Sequence, residues 1–426
     1  MIFLKLKSAA LQLTLFIAVV ISILLMGFVL LLHTHKQFQI QTDFMVEATQ
    51  NTDIGIDYAM RHTIFLKDTI SVPLEKTTDN TLKIYRDFWG IFERIFVVSH
   101  VKNTYFQKTA LLGAKSKDQN RTALYLEETN KPLVVVGDTK IEGLVYLPKQ
   151  GVKTGTIGGH HYTGSQLIYG PIKPATSLPK IASAVIEQIE SIALLSDEIL
   201  ESQFIHIKPG KLYKNSFEKP VLCFYSKDKI DLNDMQLTGH FVVQSKTKIT
   251  VEASSVLKDI VLIAPEIEIK NNVTGTFQAF ATQKLQVGTA VQLEYPSALI
   301  LNKINFSGNT ANSSGQKEKP SLYIGDYSTI KGPLIYLGSE SSNTFKTQVG
   351  IDAKALVIGE LYCTQNTELK GRVYGSVFSK NFIANQFGSI YINHIYNGKI
   401  NSHQLPKNYV GLLFETDKKE VLKWLY

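Results

Sequence analysis

The sequence predicts a mainly β protein: a single N-terminal transmembrane helix, a small membrane-proximal antiparallel β module, then a β-helix of about 18 residues per turn with an inserted amphipathic helix. Three observations predict it. An uncharged apolar run lies near the start, apolar and polar residues alternate after residue 80, and apolar residues recur every six positions over residues 249–299.

If histidines are neutral, no charged residue occurs between Lys7 and Lys36, and residues 9–32 are dense in Leu, Ile, Val and Phe. A hydrocarbon core about 30 Å thick takes roughly 20 such residues as a helix. Residues 1–36 are therefore read as a cytoplasmic stub and anchor, with residues 8–32 in lipid. The stretch from Leu31 to Lys36 offers no small-x-small cleavage site, so the anchor is expected to stay attached. Lys5 and Lys7 on one flank outnumber Lys36 on the other, which places the N-terminus in the cytoplasm and the bulk outside, in a periplasm or at the cell surface.

Residues 37–62 continue as a helical stalk, with Phe38, Met45, Ala48, Thr52 and Ala59 near one face and no proline before Pro73. An anchor helix running on as an amphipathic stalk into a β-rich domain resembles the type IV pilins and pseudopilins over about sixty residues. That resemblance implies a component of a pilus or secretion system. Residues 63–130 read as the membrane-proximal module, with strands near residues 82–85, 92–98 and 105–108 and turns at Gly90 and at Lys102 and Asn103. A solvated loop is expected over residues 114–121.

In the six-residue repeat, Ile249, Val261, Ile267, Val273, Leu285 and Val291 fill one slot, and its other members, Ser255, Ala279 and Ser297, are small. Two residues on, Val251, Leu257, Ile263, Ile269, Gly275, Ala281, Val287, Leu293 and Leu299 fill a second. At eighteen residues the side chains match in kind: Ile249, Ile267 and Leu285; Val251, Ile269 and Val287; Leu262, Phe280 and Ala298. Two inward positions separated by one outward residue describe short strands wound into a solenoid.

A second pattern, apolar-x-Gly-x-apolar, recurs around Gly143, Gly239, Gly275, Gly332 and Gly371. Glycine there suits a corner where a Cβ would crowd the neighbouring rung. These repeats resemble the bactofilins, a family of polymer-forming β-helices, over residues 134–147 and 230–382. The resemblance implies the fold and a capacity for assembly. Residues 131–150 are read as a first turn, 151–205 as a loop and helix insertion, 206–400 as the β-helix and 401–426 as a tail. Within the insertion, Ile181, Val185, Ile189, Ile192, Leu195, Ile199 and Leu200 fall at helical spacing, which suits a helix lying along the solenoid or over its end. Residues 307–320 form a polar loop, and residues 416–426 are expected to make a capping helix.

The net charge of +8 and pI near 9.1 come from dispersed lysines without a basic run, which argues against nucleic acid. Cys223 and Cys363 cannot form a disulfide framework, and Cys363 sits in an inward slot as a small apolar residue. His160 and His161 lie in a glycine-rich loop without the spacing of a metal site, and none of the five repeat glycines implies a cofactor. A sugar-cleaving β-helix needs clustered acids, whereas Asp231, Asp234, Asp259, Glu266 and Glu268 are scattered. His240 standing alone is a weak match to a hexapeptide acyltransferase. The expectation is a membrane-anchored structural or assembly protein of the cell envelope, not an enzyme, with no metal and no cofactor. Its partners are the bilayer and a protein or a second copy of itself. A pilin-like component and a β-helix carbohydrate enzyme or polysaccharide binder are the alternatives.

Overall fold

The computed structural model describes residues 8–74, 80–115, 121–195, 199–304, 319–339 and 345–426. The chain is mainly β, with a long apolar helix near its N-terminus. It divides into two compact units: Met1–Tyr85 with Phe96–Lys108, and Arg86–Ile95 with Thr109–Tyr426.

In the first unit, residues Ser8–Arg61 form one unbroken helix. Anchor and stalk are therefore a single rod of about 80 Å at 1.5 Å per residue. Its apolar side chains from Leu11 to Leu32 are exposed, and the helix is long and apolar enough to cross a membrane. Ala48, Thr52, Ile56 and Ala59 are buried, while Phe38 and Met45 are exposed, so the buried stalk face begins at Ala48, about three turns after the Phe38 start that the sequence predicts. Small residues let the helix approach the sheet: a Cβ on Gly55 would stand 2.6 Å from the Val97 side chain. Asn80 donates to Glu47 (2.8 Å) and Lys108 pairs with Asp53, closing the same contact with polar groups.

The strands Asn80–Trp89, Phe92–Val101 and Thr104–Ala114 follow one another through two tight turns. Gly90 and Lys102 both take positive φ there, +63° and +51°, as two-residue hairpin turns require.

The second unit is organised by parallel pairing. Ile249 pairs with Ile267, Ile267 with Leu285, Leu285 with Leu322 and Leu322 with Val349. A parallel column runs Val251, Ile269, Val287, Ile324, Ile351, Leu369. The first two columns of eighteen-residue matches therefore lie in register, and their side chains share one buried apolar core. The third column does not. Phe280 pairs with Ile263 because a bulge beside Asp259 shifts the register by one residue, and with Ile300 because two further residues enter between Leu293 and Ala298. Val261 and Ile263 consequently turn away from the first core and enter a second.

That second core covers the opposite face of the same strands. Ile263, Phe280, Ile300, Ile335, Tyr362 and Phe378 pack there with Val185, Ile189 and Ile192 of the insertion. The helix Ser183–Ser191 thus lies against the flank of the stack, and a 3-10 turn at Ile192–Leu194 follows it. It is shorter than the sequence spacing suggested, residues 196–198 being outside the described residues. The polar loops expected at 307–320 and 114–121 also fall largely outside them.

Three placements differ from the sequence reading. Residues 416–426 are no helix: Lys419–Leu425 is a strand, antiparallel to Thr104–Ala114. An available sheet edge wins over helix propensity there. The turn at residues 131–150 is first in the chain but stacks beyond the last rungs. Ile400 pairs with Ile141, Ile395 with Val135, and Val145 with Ile172. Finally, Thr122–Leu126, placed by sequence in the membrane-proximal module, belongs to this stack through Val377 and Leu124.

Candidate functional site

The five repeat glycines all stand at close approaches. A Cβ on Gly239 would overlap the Asn215 carbonyl oxygen, and one on Gly332 would overlap that of Ser297. Gly239 and Gly332 also hold φ of +100° and +139°, which a side chain rarely adopts. Gly275 and Gly371 have ordinary backbone, but a Cβ there would meet the carbonyl oxygens of Leu257 and Asp352. Gly143 faces Ser402. These positions let neighbouring chain segments approach closely and present no reactive group.

The structure does not gather the candidate acids. Asp231 is exposed beside Lys229 (2.8 Å), and Asp234 is exposed at a turn. Glu268 takes Lys248 and Lys270 as partners. Asp259, at φ +61° in the bulge, is buried and accepts from Lys423 and from the Tyr426 hydroxyl (3.1 Å). His160 and His161 are exposed, and His161 Nδ1 lies 2.8 Å from the Thr156 hydroxyl. Among the described residues no three His, Cys, Asp or Glu side chains come together as a metal site. Cys223 and Cys363 are buried free thiols, each pushed up to about 12 by burial. Neither is poised as a thiolate at neutral pH.

Two polar clusters in the second unit escaped the sequence reading. The first surrounds the hairpin end Arg86–Ile95. Glu93, buried, accepts from Arg86 and Lys419 at 2.6 Å each. Arg94 is held by Asp87 and donates towards His240 Nε2 at 3.0 Å, while His240 Nδ1 donates to the Lys219 carbonyl at 2.8 Å. Trp89 and Phe217 pack their rings on the same imidazole. Trp89 Nε1 donates to the Asp259 carbonyl (3.1 Å), and Gln278 bridges the Trp89 carbonyl and the Ile91 amide. The Arg86–Glu93 and Asp87–Arg94 pairs brace the hairpin itself, and the contacts of Trp89, Ile91 and Arg94 with Asp259, Gln278 and His240 fix its end on the parallel strands. His240 is thus a packing residue, with its pKa lowered to about 3 by burial and the Arg94 charge, opposed by the bond to Lys219.

The second cluster lines a cavity of about 270 Å³ on the flank of the stack. Side chains two apart on a strand share a face, so Glu360 projects beside Tyr362 and, on the next rung, Ser376 beside Phe378. Tyr125 and Tyr146 continue the aromatic row, their rings stacked at 4.9 Å. Phe414 meets Phe378 at 5.0 Å and forms one wall. Glu360 is buried and accepts from the Tyr409 hydroxyl at 2.7 Å. Burial raises its pKa, and the Tyr409 hydroxyl and Arg121 charge work against that rise. No spacing rule connects residues 121, 146, 360 and 414, which is why sequence reading missed them.

No family model matches the chain, and no curated protein matches it. Among solved structures, it is similar to the competence-associated pilin ComZ from Thermus thermophilus, at 8% identity and a TM-score of 0.21, over 85% of this chain and 89% of that one. The bactofilin resemblance accordingly rests on the glycine repeats alone.

Proposed function

We propose that the chain is a membrane-anchored, extracytoplasmic scaffold of the cell envelope, its parallel stack being a β-solenoid that works by assembly and not by catalysis. The observation that carries this reading is the unbroken helix, whose apolar part is wholly exposed, in a chain that also builds a parallel stack buried on two faces. Such a stack resists bending because each rung is fixed by its neighbours. Among the described residues, Leu212–Asn215 and Ile230–Leu232 each pair on one side, leaving strand edges at that end. Leu200, Phe204 and Leu212 are exposed nearby, at 69%, 37% and 57%. Unpaired edges with exposed apolar groups suit strand addition by a second copy.

The test is sedimentation of the full chain in detergent, with and without Phe204→Asp combined with Leu212→Asp. The native chain should form larger species and the double variant should not. A native chain that stays monomeric at high concentration overturns the assembly reading. Association that survives the double substitution moves the contact to the helix. A pilin-like reading is favoured by one feature of the first unit: a helix exposed in its first half whose second half packs on antiparallel strands through Ala48, Thr52 and Ile56.

The orientation follows from the lysines before the apolar run. A reporter active only outside the cytoplasm, fused after Tyr426, should be active. Activity from a cytoplasmic reporter alone would reverse the topology.

A further inference from the structure

The geometry points to a saccharide-binding site in the flank cavity, recognising a pyranose ring of a glycan between the aromatic row and the Glu360 carboxylate. A pyranose has apolar C–H faces and a rim of hydroxyls. The cavity offers the complement of both. Tyr125, Tyr146 and Phe378, stacked on one another from three successive rungs, line it with apolar ring atoms, with Phe414 at the side. Glu360, Ser376 and Arg121 supply acceptors and donors along the same floor.

The polar groups decide the ligand class. A lipid chain or an aromatic side chain would match the rings, yet it would set the half-buried Arg121 guanidinium against hydrocarbon in place of water. An inorganic anion would meet Arg121 but would face Glu360 and leave the aromatic surface unused. A ring of hydroxyls satisfies each group, since hydroxyls both donate and accept. The cavity volume of about 270 Å³ lies just under the ~300 Å³ at which pockets begin to hold drug-sized ligands, which suits one ring at a time. Tyr146, half-buried beside the Lys173 ammonium, marks the end of the row from which a longer glycan would extend. This inference does not depend on the assembly reading, because the cavity lies on the flank of the stack and not on its terminal strands.

The experiment is calorimetric titration of the full chain, held in a detergent without a sugar headgroup, with cellotriose, chitotriose and trigalacturonate. At least one should bind with a Kd of about 1 mM or tighter. Tyr146→Ala should weaken that binding about tenfold, the ~1.4 kcal/mol expected of one lost stacking ring. Ser376→Val keeps the side-chain volume and removes the hydroxyl, so it tests the polar floor if Tyr146→Ala fails to fold. The double variant at Phe204 and Leu212 should bind as the native chain does, which separates this site from assembly. Absence of binding by all three sugars, or binding untouched by Tyr146→Ala and Ser376→Val in folded protein, overturns the proposal.

Discussion

Ile267→Asp should abolish folding of the second unit. Ile267 is 1% exposed and pairs with Ile249 on one side and Leu285 on the other, so a carboxylate there meets apolar side chains from three rungs. Burying it without a partner costs several kcal/mol, comparable with the roughly 5–15 kcal/mol that holds a typical domain together. The neighbouring position gives the contrast. Glu268 points outward, where burial works against its charge and hydrogen bonds from Lys248 and Lys270 outweigh that effect, holding the carboxyl below its usual range. Glu268→Lys places a third cation beside two lysines, and a partly exposed pair is worth about 0–1 kcal/mol, so a loss of about 1 kcal/mol is expected. Urea denaturation followed by circular dichroism reads both. Comparable damage from the two substitutions would contradict the strand orientation.

Period-two and period-eighteen patterns were legible because they arise from local geometry. Ile249, Ile267 and Leu285 match in kind since they occupy one column, and the same holds for Val251, Ile269 and Val287. Legibility failed at Asp259, where one extra residue in the left-handed region turned Val261 and Ile263 to the other face. Nothing in composition announces a bulge, although an aspartate at a repeat position otherwise held by Gly239 is a hint in hindsight. The tail was misassigned for a different reason. Lys419–Leu425 has residues that suit either a helix or a strand, and the free edge of Thr104–Ala114, a partner some three hundred residues earlier in the chain, decided the matter. The return of residues 122–174 to the far end of the stack is equally non-local, because it depends on which rung lacks a neighbour. The cavity residues share no spacing at all. Their common property is adjacency between rungs, which becomes visible once the register is known.

Acidification should weaken the second unit through His240. With its folded pKa at about 3 and an unfolded value near 6.5, the imidazole is neutral in the native protein across the mildly acidic range, while the unfolded chain takes up a proton. The unfolded state therefore binds more protons between these values, so stability rises with pH there and is lost as pH falls below about 6.5. Between pH 7 and pH 5 the loss amounts to about 2 kcal/mol from this group alone. The cause is geometric. Nδ1 already donates to the Lys219 carbonyl, so the incoming proton must go to Nε2, which faces the Arg94 guanidinium at 3.0 Å. Asp87 is engaged with Arg94, and the rings of Trp89 and Phe217 keep water from the imidazole. Glu360 has the opposite sign, because its raised pKa lets the folded protein take up a proton first, and His394 has the same sign as His240. The native profile is therefore a sum, and the difference from a variant isolates the term. His240→Gln retains an oxygen that can accept from Arg94 but cannot titrate. Whatever their gap at pH 7, the melting temperature of the native chain should fall relative to that of the variant towards pH 5, by the equivalent of about 2 kcal/mol. Parallel curves over that range would mean that His240 is protonated in the folded state and that the hairpin end does not seal it from solvent.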